Sequence, residues 1–192
     1  HAVWALREGG RRAVVVDDLS TGNRDLIPGD VTLVIADAGD RGRIEALIGE
    51  YGCTAVMHFA GSIVVGESVD KPLAYYANNA GVTLNLIRAC LAGGVKRFVY
   101  SSTAAVYGQP DRLPIGEDAP TRPLNPYGHS KLMAERMLRD AAQAHGLQYA
   151  ILRYFNVAGA DPKGRTGQSS QRPTHLIKRA CQSVLGLGDG IE

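Results

Sequence analysis

The chain has 192 residues, of which 45% are hydrophobic and 21% charged, and its formal net charge at pH 7 is +2. These values are typical of a soluble globular protein, and without a basic run we expect no nucleic-acid partner. No apolar segment reaches the roughly 18–20 residues that cross a bilayer, so we expect no membrane association. The cysteines (Cys53, Cys90 and Cys181) are far apart and lack metal-ligand spacing, which predicts a reduced, cytoplasmic protein without a metal.

The first third of the chain alternates helical patterns with short segments rich in β-branched residues. The predicted elements, in order, are the end of a helix at 1–9, a buried strand at 12–17, a strand at 31–35, a helix at 40–50 and a strand at 54–60. Gly9-Gly10 and Gly52 are suited to end the two helices. Strands that alternate with helices indicate a parallel sheet flanked by helices.

The rest of the chain continues this alternation. A long helix is predicted from Pro72 to Ala92, because proline suits a first helical turn and Gly93-Gly94 follows the end. Further predicted elements are a strand at 96–102, a helix that runs from about Tyr127 to His145, a strand at 149–155 and a helix near 174–186. The predicted fold class is α/β, a Rossmann-like doubly wound parallel sheet.

Tyr127 and Lys131 lie four residues apart in the segment YGHSK, so on a helix both side chains reach one ligand. A free tyrosine titrates near ~10, and a neighbouring ammonium lowers that pKa. Upstream, Ser101, Ser102 and Thr103 offer hydroxyls that can share a proton. The set predicts proton abstraction from an alcohol while hydride leaves to a nicotinamide. The same spacing also occurs on surface helices, with an exposed tyrosine and a solvated lysine.

Several residues at predicted strand ends suit a dinucleotide. Asp17 fits the acid that binds an adenosine ribose, or it is a turn residue before Asp18. No arginine follows at once to take a 2′-phosphate, which favours NAD over NADP. Asp37 could meet the adenine or cap a loop. The small residues of HFAG (58–61) let a backbone approach a cofactor closely.

Six segments in order carry a family resemblance. They are HFAG (58–61), VGES (65–68), YYANN (75–79), SSTAAVYG (101–108), PYGHSK (126–131) and RYFNVAG (153–159). With these segments the chain resembles the UDP-glucose 4-epimerase family of extended short-chain dehydrogenases/reductases. The resemblance implies reversible hydride transfer at the sugar C4′ to bound NAD, a 4-keto intermediate, a role in galactose metabolism, and a homodimer packed through the helices at 72–92 and 127–145.

The resemblance also implies a shorter chain than the family's own. On that reading the sequence lacks the first strand and the glycine-rich turn, as well as most of the substrate domain. The expected domains are an NAD-binding domain at 1–159 and the start of a substrate-binding domain at 160–192. Since the glycine-rich turn and its helix bind the pyrophosphate, we expect the 192-residue piece alone to be inactive.

Individual roles follow from the resemblance, position by position. The catalytic residues are Tyr127 as base, Lys131 and Thr103. The cofactor-binding residues are Asp17, Asp18, Asp37, Phe59, Ala60, Gly61, Asn78, Ser101, Tyr127, Lys131 and Phe155. The substrate-binding residues are Thr103, Tyr127, Asn156, His175 and Leu176. Two positions depart from the family pattern, because Ile63 stands where some members have lysine and His175 where some have asparagine.

Three alternative functions share parts of this pattern. A nucleotide-sugar 4,6-dehydratase needs an additional acid and base, which its family pattern places directly after the threonine. Here Ala104-Ala105 occupy those positions, and methyl groups transfer no protons. Epimerases of UDP-arabinose, UDP-glucuronate or UDP-N-acetylglucosamine stay open, since residues further along the chain set the pocket size. A non-catalytic dinucleotide sensor is disfavoured, because such proteins typically lose the Tyr/Lys pair.

Overall fold

The computed structural model describes residues 1–169 and 175–187. The chain divides into two compact units. One contains residues 1–13, 23–32 and the described residues from Asn156 onward; the other contains residues 14–22 and 33–155. The predicted domain boundary between 159 and 160 stays a prediction.

The helices and strands follow the alternation predicted from the sequence. In chain order they are α1 (Ala2–Glu8), β1 (Val14–Asp17), β2 (Thr32–Ile35), α2 (Arg41–Tyr51), β3 (Ala55–His58), α3 (Val65–Asp70), α4 (Pro72–Tyr75), α5 (Val82–Ala92), β4 (Arg97–Ser101), α6 (Pro126–His145), β5 (Gln148–Leu152) and α7 (Leu176–Val184). Short 3-10 turns occupy Arg24–Leu26 and Ala104–Tyr107. The α/β class is therefore confirmed.

The larger unit contains a parallel sheet of three strands in the order β3-β4-β5. Arg97 of β4 pairs with Ala55 on one side and with Gln148 on the other. Because the strands are parallel, their carboxyl ends lie at one edge of the sheet, which is where ligands bind in open α/β folds. Strands β1 and β2 pair in a separate sheet, so the described strands form two sheets rather than the single one predicted.

The central strand β4 supplies the middle of the core, because Phe98 and Tyr100 are completely buried. Around them pack apolar residues of α2, α5 and α6, which include Ile44, Leu47, Ile48, Leu86, Ile87, Cys90 and Leu138. Strand β1 differs from its prediction, since its residues are only half-buried. The core therefore centres on β4 and fixes the carboxyl edge of the three-stranded sheet.

The helix predicted from Pro72 to Ala92 is not a continuous α-helix. It consists of α4 and α5 joined by a π-helical turn at Tyr76–Gly81, and the short helix α3 precedes it. Within this region the Thr83 hydroxyl donates to the Asn79 carbonyl oxygen at 2.6 Å. A side chain that competes for a helical carbonyl disturbs the regular ladder, and π-turns frequently occur at functional sites.

Helix α6 begins and ends with strong capping signals. The Asn125 side chain accepts a hydrogen bond from the Gly128 amide, Pro126 occupies the first turn, and Gly146 ends the helix in the left-handed conformation. A Cβ at Gly128 would lie 2.8 Å from Pro123 Cβ and 2.9 Å from the Ala105 carbonyl oxygen. Glycine therefore lets the first turn of α6 pack directly against the segment that follows β4.

Two predicted elements differ at their ends. The strand expected to reach residue 155 stops at Leu152, and the helix expected near 174–186 is observed as α7, while residue 174 lies outside the described residues.

In the smaller unit, Arg165 packs over the Trp4 ring at 4.2 Å and pairs with Glu8 and Asp161. No helix within 1–169 and 175–187 is long and apolar enough to cross a membrane.

Gly108 is the glycine whose replacement should strain the fold most. It has φ +65°, and a Cβ there would lie 1.9 Å from the Arg122 carbonyl oxygen. We expect Gly108→Ala to lower the free energy of unfolding by about 3 kcal/mol, the upper end for single substitutions. Gly146→Ala is the matched control, since Gly146 has φ +69° and open space around it. That control should lose only about 1 kcal/mol in urea denaturation, and equal losses would contradict the steric explanation.

Candidate active site

Tyr127 lies in the first turn of α6 and is 9% exposed. The Tyr75 ring packs edge-on against it, with 6.4 Å between ring centroids. Burial raises the pKa of the Tyr127 phenol, whereas the Thr103 hydroxyl lowers that pKa by stabilising the phenolate. Thr103 is buried beyond the carboxyl end of β4, and its hydroxyl also accepts from the Ala105 amide at 3.1 Å. The structure thus brings the predicted base and the predicted hydroxyl together.

Lys131 lies one turn further along the same face of α6 and is 3% exposed. Its ammonium donates to the Ser101 carbonyl oxygen at 3.1 Å and lies 5.2 Å from the centre of the Tyr100 ring. Burial lowers the pKa of Lys131 to about 8. The surface-helix alternative is therefore excluded, because neither Tyr127 nor Lys131 is solvated.

The buried ammonium of Lys131 should reduce the stability of the fold. Its pKa falls from 10.5 in the unfolded chain to about 8 in the folded one, which corresponds to about 3 kcal/mol at ~1.4 kcal/mol per unit. This cost is complete below pH 8 and disappears as pH rises to 10.5, because the folded chain loses its proton first.

We therefore expect Lys131→Met to raise the free energy of unfolding near neutral pH by up to about 3 kcal/mol. Urea denaturation at a series of pH values measures the gain, which should vanish at high pH. Lys96→Met is the control, because Lys96 is exposed, and it should give no such gain. A Lys131→Met variant that is less stable than the parent at every pH would contradict the expectation.

The π-turn places Asn79 behind this pair. Asn79 is 2% exposed and bonds Ser62 twice, with its Oδ1 accepting from the Ser62 amide at 2.8 Å and its Nδ2 donating to the Ser62 carbonyl at 3.0 Å. The same Nδ2 donates to Ser130 Oγ at 3.0 Å, and Ser130 in turn donates to the Tyr127 carbonyl. The predicted cofactor residue Asn78 is exposed and donates to Ser62 Oγ at 2.9 Å.

The loop after β3 presents a mostly exposed surface. Phe59 is 47% exposed, Ala60 is exposed, and Gly61 has φ +150°. A Cβ at Gly61 would lie 2.8 Å from Asn79 Oδ1 and 3.3 Å from Lys131 Nζ, so no larger residue fits there. On this side the site is therefore lined by an aromatic ring and bare backbone next to the ammonium.

Two further predicted cofactor residues lie at the end of β4 and after β5. The Ser101 hydroxyl hydrogen-bonds the Tyr154 hydroxyl, and Phe155 is 74% exposed. The Ala104 amide donates to the Tyr154 carbonyl oxygen at 3.0 Å. The two strand ends are thus linked, and their neighbouring side chains reach the same edge of the sheet.

The acidic residues predicted to bind adenosine follow β1 and β2. Asp17 is half-buried and accepts from the Leu19 amide at 2.8 Å, and a Cβ at Gly22 would lie 2.6 Å from its carboxylate. Asp18 is exposed, and hydrogen bonds from Ser20 lower its pKa. Asp37 is exposed and accepts from the Gly39 amide at 2.7 Å. All three carboxylates thus take part in local turns after strands.

The three residues predicted to bind substrate alone lie in the smaller unit. Asn156 and Leu176 are exposed, and His175 is half-buried with its Nδ1 3.2 Å from Gln168 Nε2. No group of three His, Cys, Asp or Glu residues suited to a metal occurs in the part of the chain that the structure describes.

Sequence reasoning missed several residues behind the site. The most prominent is Glu135, a fully buried carboxylate one turn after Lys131. His58 is also buried, and its Nε2 lies 3.0 Å from the Thr83 hydroxyl. Burial and, to a smaller extent, the charge of Lys131 lower the pKa of His58 to about 3, so this imidazole is neutral. The spacing of Glu135 four residues after Lys131 was the available signal.

The arrangement places a phenol, a hydroxyl and an ammonium, all three buried, at the carboxyl edge of a parallel sheet. Such a site can accept a proton from an alcohol and return it. The fold and the site together define a Rossmann-like α/β protein with a buried group of proton-transferring side chains at the edge of its sheet.

Comparison with known proteins makes this assignment specific. A profile of the NAD dependent epimerase/dehydratase family matches residues 1–191. The chain therefore belongs to the NAD dependent epimerase/dehydratase family.

Individual relatives agree with the family assignment. A protein named UDP-glucose 4-epimerase, from Azospirillum brasilense, is 59% identical over 97% of this chain and 53% of its own length. UDP-arabinose 4-epimerase 1 from Arabidopsis thaliana is 42% identical over 100% of this chain and 49% of its own length. The crystal structure of UDP-glucose 4-epimerase from Brucella ovis in complex with NAD is 44% identical, with a TM-score of 0.93 over 97% of this chain and 57% of that chain. The chain thus spans about half the length of the curated relatives it matches.

Proposed function

We propose that the gene product carrying this chain is an isomerase that interconverts UDP-glucose and UDP-galactose, with NAD as its bound cofactor. The observation that carries the proposal is the pair of buried side chains, Tyr127 and Lys131, beside the Thr103 hydroxyl. Relatives with the names UDP-glucose 4-epimerase at 59% and 43% identity support the same reaction.

The described residues fit NAD. Lys131 has three N–H donors, of which one bonds Ser101 and another faces the Tyr100 ring, so one can reach a ribose hydroxyl. The exposed rings of Phe59 and Phe155 suit the flat faces of a nicotinamide. The remaining cofactor residues in this proposal are Asp17, Asp18 and Asp37 for adenosine and Ala60, Gly61, Asn78 and Ser101 near the ring. When bound, NAD accepts and returns the hydride.

The chain's own residues move the proton. Tyr127 as phenolate accepts the proton of the sugar 4′-hydroxyl, and Thr103 hydrogen-bonds both oxygens. Burial raises the pKa of the Tyr127 phenol and the Thr103 hydroxyl lowers it. The proposal requires the positive charge of Lys131, one helical turn away, to stabilise the phenolate as well. Tyr127 then returns the proton to the same oxygen after the sugar has turned. No second acid or base is required.

The residues after Thr103 favour epimerisation over dehydration. Ala104 is buried and Ala105 half-buried, and neither can transfer a proton. Asn156, His175 and Leu176 are proposed to contact the UDP-sugar, with His175 and Leu176 in a substrate domain that begins near residue 160. A UDP-arabinose 4-epimerase is the second candidate, supported by the Arabidopsis relative at 42% identity.

The test is a direct assay of the gene product that carries these residues. It is first freed of bound nucleotide and then incubated with UDP-galactose in the presence of NAD or NADP, and UDP-glucose is measured by chromatography. Parallel reactions use UDP-arabinose, UDP-glucuronate and UDP-N-acetylglucosamine. We expect conversion of UDP-galactose that NAD supports and NADP does not. Turnover of UDP-arabinose alone would favour the second candidate, and no turnover of any UDP-sugar would overturn the proposal. Assayed by itself, the 192-residue chain should be inactive.

We further propose a cytoplasmic homodimer packed through the helices at 72–92 and 127–145. Three apolar side chains on these helices are exposed in the single chain, Leu73, Leu84 and Met133. Burying them against a second copy would remove apolar surface from water. Sedimentation of the gene product and of its Met133→Glu variant tests this surface. A parent protein that sediments as a monomer would exclude it.

A further inference from the structure

Glu135 is a carboxylate with 0% exposure that none of the proposed chemistry uses. It lies four residues after Lys131 and eight after Tyr127, on the face of α6 that carries both. A charged side chain is almost never fully buried unless it is paired and hydrogen-bonded. Its partners therefore indicate what it does.

The Glu135 cluster consists of Glu135, Ser102 and Arg153. Ser102 Oγ donates to Glu135 Oε1 at 2.5 Å. The Arg153 guanidinium donates to the same carboxylate from two nitrogen atoms, from Nε to Oε1 at 2.9 Å and from Nη2 to Oε2 at 2.5 Å. Arg139 donates to Oε2 from the exposed side at 3.3 Å. The carboxylate thus joins α6 to the ends of both β4 and β5.

Both partners are direct sequence neighbours of the site. Ser102 stands between Ser101, whose carbonyl accepts from Lys131, and Thr103, whose hydroxyl acts on Tyr127. Ser101 and Ser102, consecutive residues at the end of β4, are therefore bonded by Lys131 and Glu135, which lie one turn apart on α6. Arg153 precedes Tyr154, which bonds the Ser101 hydroxyl.

We propose that Glu135 is a positioning residue, which through Ser102 and Arg153 sets the Thr103 hydroxyl and the 153–155 segment against Tyr127. Backbone hydrogen bonds from the Ser102 amide to the Leu152 carbonyl oxygen and from the Ala104 amide to the Tyr154 carbonyl oxygen align the segment around Thr103 with the chain at the end of β5. The hydrogen bond from the Ser102 hydroxyl to Glu135, the tether, joins this segment to α6 directly beside Thr103. The kinetic side of this inference rests on the proposed epimerase function.

Ser102→Ala is the variant that tests the inference. Replacing Glu135 itself would leave the Arg153 charge without its partner and destabilise the fold. Ser102→Ala removes only the hydrogen bond of the tether, because Glu135 Oε1 still accepts from Arg153 Nε. Arg139→Ala is the matched control, because it removes the partner whose side chain is 45% exposed. All proteins are the NAD-loaded gene product that carries this chain.

Two readouts are measured. The first is the titration of Tyr127, followed by NMR of labelled tyrosine with Tyr127→Phe as the reference that identifies the signal. The second is the pH profile of kcat and KM for UDP-galactose. For Ser102→Ala we expect the Tyr127 titration and the acid limb of kcat to move to higher pH, because Thr103 stabilises the phenolate less well. We also expect kcat to fall about 10- to 100-fold with KM unchanged. Arg139→Ala should match the parent in both.

Unchanged titration and kcat in Ser102→Ala would overturn the proposal. So would a lower kcat with an unmoved Tyr127 titration, since loss of folded protein alone produces that result. If the parent turns over no UDP-sugar, the proposed function fails, but the Tyr127 titration still decides whether the tether acts on the phenol. The two failures are therefore distinguishable.

Discussion

Tyr127→Phe should reduce hydride transfer from UDP-galactose by about 10²–10⁴-fold, the usual contribution of a positioned acid–base group. Phenylalanine fills the same space against Tyr75 but cannot accept a proton. The buried neighbours Lys131 and Thr103 carry no other group that can take over this role. The measurement is the appearance of reduced nicotinamide in a single turnover of the gene product that carries this chain.

NAD binding should survive this substitution, because the phenol is only one of several groups proposed to face the cofactor. Tyr149→Phe is the matched control, since Tyr149 is 45% exposed on β5 and far along the strand from its carboxyl end. It should retain full activity. Near-normal epimerisation by Tyr127→Phe would remove Tyr127 from its role as base, and with it the main support for the proposed reaction.

Glu135→Ala should have the largest effect on stability, with a loss of about 3–5 kcal/mol in the free energy of unfolding. The reason is that Arg153, whose side chain is 12% exposed, would keep its charge without its main partner. The pairing with Glu135 raises the pKa of Arg153, so that guanidinium cannot become neutral instead. Urea denaturation with a constant m value measures the loss.

The double variant Glu135→Leu/Arg153→Met tests the cause of this loss. It removes both charges from the interior and should recover most of the stability, because a buried ion pair seldom exceeds well-packed apolar residues in net stabilisation. Glu45→Ala is the control for an exposed pair, since Glu45 and Arg41 are both substantially solvated, and it should cost less than about 1 kcal/mol. Equal losses for Glu45→Ala and Glu135→Ala would contradict the argument.

The buried charges of the site lower the stability of the fold or make it sensitive to substitution. Lys131 is buried as an ammonium and lowers stability near neutral pH, while the ion pair of Glu135 and Arg153 is sensitive to the loss of either partner. Lys131 and Glu135 lie on the face of α6 that carries Tyr127. Local features that conflict with stability are expected at functional sites.

Much of the fold could be predicted from the periodicity of apolar residues and from the glycines and prolines at element ends. The glycines after α1, α2 and α5 mark real helix ends, because capping depends on residues close in sequence. The helix at 72–92 was less predictable. Its apolar pattern is helical throughout, but the π-turn arises from the partners that Asn79 and Thr83 find on other segments.

For the site, residue types and their spacing predicted the kind of chemistry. The YGHSK spacing puts a phenol and an ammonium on one helical face, and the Ser101–Thr103 cluster follows a strand, so proton transfer could be inferred from residue types and periodicity alone. The ordered segments from HFAG to RYFNVAG added the family, which the match over residues 1–191 confirms.

Which of these groups are buried, and which residues they contact, depends on the tertiary structure. Burial depends on packing between segments distant along the chain, so the sequence could not predict that Asn79 rather than Asn78 turns inward. It also could not predict that Glu135 meets Ser102 and Arg153, 33 and 18 residues away. These contacts exist because parallel strands bring their carboxyl ends to one edge, where a single face of α6 reaches all of them.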